Sequence, residues 1–165
     1  MAAMPTRAQR CADLVRARLG FERPPASPAM LVAHAPIEVF ALDWPDDLAG
    51  LLAIRGESAF IGLNKWHSHA RRHFSFWHEV GHYVMHRGRS QVTCWDTPWS
   101  RDAAREREAN AFAAAITMPA NWLASGLDES PDLDDLARRF KVSRQALALR
   151  LEELGLSATV EGWRT

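Results

Sequence analysis

The chain has 165 residues, 47% of them hydrophobic, and its 20 Lys and Arg residues cancel its 20 Asp and Glu residues. That length suits one globular domain burying roughly two-thirds of its unfolded surface, and the neutral balance excludes attraction to nucleic acid or an anionic membrane through overall charge. Two cysteines, Cys11 and Cys94, are too few for the disulfide framework of a small secreted domain. The opening MAAMPTRAQRCADLVRARLG lacks an apolar run of signal-peptide length, and no stretch approaches the ~20 apolar residues of a membrane span, so a cytoplasmic protein is expected.

Thr6 is a candidate N-cap, Ala8, Cys11, Ala12, Val15 and Leu19 recur at helical spacing, and Gly20 stops this first helix. FERPPASP reads as a loop, and a short helix around AMLVAH leads through Pro36 into IEVFAL, a strand. LAGLLAIRG and ESAFIGLN flank a turn near Gly56 and predict an antiparallel hairpin, with SAFIGLN as an exposed edge on which an extended substrate segment adds as a strand. A helix from about Ser68 to His86, ended by Gly88, carries Phe74, Trp77, Val80, Gly81, Val84 and Met85 on a broad apolar surface. GRSQVTCWDTPWS reads as an irregular loop; Ser100 then caps a helix, RDAAREREANAFAAAITM, which Pro119 closes. SPDLDDLARRFKVSRQALALRLEELG predicts two short helices joined by a tight turn.

The central helix carries the chemistry. In HFSFWHEVGH, His78 and His82 stand one turn apart on one helix face, with Glu79 at the edge of that face. His-Glu-x-x-His suits zinc, or another divalent transition metal, because two neutral imidazoles at this spacing ligate while the intervening glutamate acts on water. A third protein ligand is needed, and EREANAF offers Glu106, with Asn110 one turn on as an outer support. Ala109, Ala113 and Ala114 would let that helix lie close to the histidine-bearing one. Glu108 competes for the ligand role. It lies about 200° round the helix from Glu106, so the two cannot both face one ion.

The segments RRHFSFWHEVGHYVMH, EREANAFAAAITMP and LARRFKVSRQALALRLEELGL together resemble the ImmA/IrrE family of bacterial and phage metallo-endopeptidases, over roughly residues 30 to 155. The resemblance implies an α+β fold with a zincin-like core, a small and mostly antiparallel sheet packed on a helical layer, and a two-helix C-terminal tail. It implies one metallopeptidase-like domain over residues 1–165, with a core at about 28–123 and a tail at about 130–155. The family's ligating glutamate opens the Glu-x-x-Ala-Asn segment, which matches Glu106. The implied activity is zinc-dependent cleavage of a DNA-binding repressor, commonly a helix-turn-helix protein encoded nearby, that releases genes under stress. Radiation-response members add further domains after the core, and those additions have no counterpart in the sequence at hand.

His86, one turn beyond His82, is a candidate substrate contact, or else a cap at the helix C-terminus. His67, His69, Arg71, Arg72 and His73 read as a solvated basic approach to the helix, Cys94 as an ordinary buried thiol, and Trp95 and Trp99 as residues that could border a cleft. The tail's helix-turn-helix appearance does not predict DNA binding: five basic and five acidic residues between Asp132 and Gly155 give no excess for phosphates. The competing functional class is a non-proteolytic, metal-containing regulator or toxin–antitoxin component that acts by protein binding. An intact Glu79 favours catalysis, because a structural zinc site needs no general base.

Overall fold

In the computed structural model, residues 4–86, 94, 95 and 102–157 are described. Helix α1 (Arg7–Leu19) starts at Thr6, whose hydroxyl accepts from the Gln9 backbone N–H while the Gln9 side chain accepts from that of Thr6. It stops at Gly20, which takes the left-handed conformation (φ 66°) that glycine adopts without penalty. Helix α2 (Pro28–Val32) is short and leads into strand β1 (Ile37–Leu42). Strands β2 (Gly50–Arg55) and β3 (Ser58–Asn64) form the expected antiparallel hairpin about Gly56, where φ is 61°.

The sheet order is β1-β3-β2-β4, where β4 is Cys94–Trp95 paired antiparallel to β2. β1 lies parallel to β3, so the sheet is mixed, with two of its three pairings antiparallel. This corrects one expectation. β3 is hydrogen-bonded on both sides and offers no edge to a substrate; the edges belong to β1 and to the short β4. The parallel pairing is made possible by the crossover over residues 43–49, which Asn64 staples down. Its buried side-chain amide nitrogen lies 2.9 Å from the carbonyl oxygens of both Pro45 and Leu48, and its Oδ1 accepts from Trp66 N–H.

Helix α3 (His69–His86) is buried along most of its length, as its two-sided apolar pattern requires. The ring of Trp77 meets Phe21 and Phe76 edge-on. Helix α4 (Ala103–Thr117) is capped by Asp102, whose carboxylate accepts from Arg105 N–H; Ser100, the expected cap, lies outside the described residues, as does Gly88. α3 and α4 touch at Gly81, where a Cβ would come within 3.2 Å of Ala109 Cα and 3.1 Å of the Phe112 ring. Glycine permits this approach, and Phe112 is wholly buried against it. Phe112→Ala is expected to lower unfolding free energy by about 3–5 kcal/mol, read from the denaturant midpoint at constant slope; a loss under about 1 kcal/mol would mean that this contact does not hold the two helices together.

Helix α5 (Ala120–Glu129) has no counterpart among the sequence-based expectations. It begins directly after Pro119 without a side-chain cap, and Asn121, Ser125, Gly126 and Asp128 are weak helix formers, so tertiary burial of Trp122, Leu123 and Leu127 sustains it. Helices α6 (Leu133–Phe140) and α7 (Arg144–Glu153) are the expected tail pair. Their Leu136, Phe140, Leu147 and Leu151 join Met118 and the buried α5 side chains in a second apolar cluster. The tail packs on the helical layer, as its neutral charge suggests.

Candidate metal centre

His78 and His82 project from α3 toward α4, where Glu106 meets them. Nε2 of His78 and Nε2 of His82 are 3.1 Å apart, and the Glu106 carboxylate oxygens lie 3.2 Å from the first and 3.4 Å from the second. Two donors held at about 2.0–2.2 Å from a tetrahedral ion stand about 3.3–3.6 Å from each other. The observed triangle sits at or just inside that spacing, so the three residues form a group able to hold a divalent metal ion. Both histidines are 2% exposed, which fixes their rings by packing.

The remaining ring nitrogens orient the donors. Asn110, one turn beyond Glu106, has its Oδ1 2.9 Å from Nδ1 of His78; that nitrogen donates, and the Nε2 lone pair is left to the centre. Nδ1 of His82 lies 3.0 Å from Nδ1 of His86, whose Nε2 lies 2.9 Å from the Glu108 carboxylate. Glu108 accepts from His86 Nε2–H, neutral His86 then accepts at Nδ1 from His82 Nδ1–H, and the Nε2 lone pair of His82 also faces the centre. Burial of His86 lowers its pKa below the usual histidine value, against the pull of Glu108, which keeps this relay neutral at its middle. The His86 hydrogen bond, assisted by the Arg7 charge, holds the Glu108 carboxyl below its ordinary range. Arg7 completes the set by donating to Glu108 and to the Met85 carbonyl.

This geometry separates residues that the sequence left in competition. Glu106 faces the two histidines and Glu108 backs His86. His86 stands behind His82: its side chain is 7% exposed, and its ring nitrogens face His82 and Glu108. His86→Ala is expected to weaken metal binding about 10–100-fold by chelator competition, the usual cost of losing an outer support; unchanged affinity would deny the relay any hold on His82.

Glu79 is fully buried on the same helix. Its neighbour from the sheet is Gly50, the first residue of β2, where a Cβ would fall 2.7 Å from Glu79 Oε1 and 3.3 Å from its Cγ. Sequence reasoning missed Gly50, although a glycine opening a strand signals close approach of another group. Of the basic approach, His69 and Arg71 are exposed, whereas His67 and His73 are buried. Both nitrogens of His73 face backbone carbonyls, those of Ala26 and Lys141. The backbone of Cys94 and Trp95 borders β2, and Trp99 lies outside the described residues.

The family model for the IrrE N-terminal-like domain, Peptidase_M78, matches residues 32–152. The chain belongs to that family. Peptidase_M78 membership and the His78, His82 and Glu106 group agree on a metallopeptidase-like site. Among solved structures, a chain described as a Mycobacterium tuberculosis transcriptional regulator shares the fold at a TM-score of 0.64 and 18% identity. The alignment covers 88% of this Peptidase_M78 chain and 46% of the regulator, so this chain spans about half of that neighbour's length. No curated protein matches it. Among the described residues, no helix is long and apolar enough to cross a membrane.

Proposed function

We propose that the chain is a zinc-dependent endopeptidase that acts in the cytoplasm on a DNA-binding repressor protein and relieves repression by cutting it. In this reading His78, His82 and Glu106 hold the ion, Asn110 and the His86–Glu108 pair steady the two histidines, and Glu79 is the general base. The observation that carries it is the fully buried Glu79 carboxylate beside a donor set of two imidazoles and one carboxylate. That set is typical of catalytic zinc, whereas structural sites close their coordination with Cys or His and need no such neighbour.

When bound, the ion supplies Lewis acidity toward the scissile carbonyl and toward water. The chain's own residues do the rest. Glu79 accepts the proton of the attacking water at its carboxylate and delivers it to the departing amine nitrogen. Its burial by Gly50 and α3 holds the carboxylate in one place, which proton transfer over hydrogen-bond distances demands. Gly50→Ala should therefore push the carboxylate aside: turnover is expected to fall about 10–100-fold with metal content unchanged. Full turnover in that variant, measured under saturating metal, would show that the cradle is dispensable.

The fold neighbour's description as a transcriptional regulator supports a substrate in transcription control, and it also supports a second reading. In that reading the chain regulates without proteolysis, as a metal-containing binding protein or toxin–antitoxin component. The test is to incubate the metal-loaded chain with the protein encoded beside it, and to follow complex formation and fragment masses together. Cutting of a helix-turn-helix repressor is the expected result. Tight binding with no fragment under any divalent metal would transfer the assignment to the regulator reading.

A further inference from the structure

A groove of about 560 Å³ lies along the edge strand β1, two positions across the sheet from the strand that carries Gly50, within the size range of ligand pockets, about 300–1,000 Å³. Its floor is apolar, with Val32, Leu63 and Phe76, and the 25–29 segment forms one wall. The other wall is β1. Because the carbonyls of Pro36 and Leu42 accept from β3 and its extension, the even-numbered residues of β1 face β3, and Val39 and Ala41 turn their N–H and C=O groups outward. Both residues line the groove, and among the described residues nothing hydrogen-bonds to those outward groups.

The rim is cationic through Arg72 and Lys141, with His69 beside them; no Asp or Glu lines the groove, and neither Arg72 nor Lys141 is in an ion pair among the described residues. We propose that this groove docks an extended, acidic segment of a partner protein, which adds as a strand to β1, buries alternate apolar side chains against Phe76 and Leu63, and sets a carboxylate on Arg72 and Lys141. Strand geometry accounts for the alternation: side chains two residues apart share a face, so one set enters the groove while the other stays outside. A small amphiphilic carboxylate would satisfy the floor and the cations but leave the outward groups of Val39 and Ala41 to water. The free strand edge is what favours a polypeptide. None of His78, His82 and Glu106 lines this groove.

The test uses the full chain as Glu79→Gln, which removes the proposed base so that bound peptides stay whole. Seven-residue peptides randomised at every position are selected on it, and the enriched ones are measured by fluorescence polarisation and amide hydrogen exchange. Expected are peptides with alternating apolar residues and at least one Asp or Glu. They should protect the amides of Val39 and Ala41, and bind at least about tenfold more weakly to Arg72→Glu combined with Lys141→Glu. Should that double variant melt early, changing the peptide's acids to amides must produce the same loss. Four results each overturn the proposal: enrichment without acids, no enrichment above an empty matrix, protection confined to other strands, or Val39 and Ala41 amides already protected in the free chain. Displacement of every enriched peptide by dodecanoate, with no protection at β1, would assign the groove to a small carboxylate instead.

Discussion

Glu79→Gln is expected to cut peptide-bond cleavage at least about a hundredfold while leaving metal content and fold intact. General-base catalysis is typically worth ~10²–10⁴-fold, and the amide that replaces the carboxylate is nearly isosteric but cannot take a proton from water. The site makes the substitution clean. Glu79 is buried against Gly50 and is not a member of the His78, His82 and Glu106 group, so the amide is expected to occupy the same cradle and leave the three donors in place. The variant should bind the substrate and hold it uncut, which binding assays and intact-mass analysis read separately. Loss of metal in this variant would place Glu79 among the ligands and remove the assigned role. Retention of more than about a tenth of wild-type turnover would show that another group takes the proton.

The second large effect concerns the metal. His78→Ala and His82→Ala are each expected to abolish stoichiometric binding, because each leaves only two of the three grouped donors able to hold an ion. Glu106→Ala should weaken binding by a comparable amount. Glu108→Ala reaches the centre only through His86 and His82, so its expected cost is no more than that of an outer support, about 10–100-fold. Elemental analysis after gel filtration, followed by chelator competition, ranks the four variants. If Glu108→Ala loses metal as fully as Glu106→Ala, the division of labour between the two carboxylates fails.

Local chemistry was legible where short-range rules govern. Thr6 and Gly20 bracket α1 because a capping hydroxyl and a left-handed glycine act within one turn of chain. The His78–His82 pairing follows from helical periodicity alone. Long-range placement was not legible. Nothing in the IEVFAL and SAFIGLN segments says that they pair in parallel, because the crossover held by Asn64 depends on carbonyls 16 to 20 residues away. The same limit hid α5, whose weak local propensity is overridden by burial against the tail. Glu106 and Glu108 point in different directions round α4, yet each finds a histidine, because His82 and His86 lie a turn apart on α3 and both carboxylates reach that row. Periodicity could exclude two ligands at one ion, but it could not reveal an outer position for the second carboxylate. His86 read as a substrate contact or a helix cap, and only the approach of α1 and α4 shows its ring held between His82 and Glu108.

The central claim, a metal centre that works with Glu79 to hydrolyse peptide bonds, is tested most directly by mapping new protein N-termini by mass spectrometry. The soluble proteome of the cells that encode the chain is incubated with zinc-loaded wild type, with the chelated protein, and with zinc-loaded Glu79→Gln. Cuts made by the loaded wild type should vanish in both controls and return when zinc is restored to the chelated protein. New termini that persist in Glu79→Gln at wild-type levels, or none above background with any divalent metal, would contradict it.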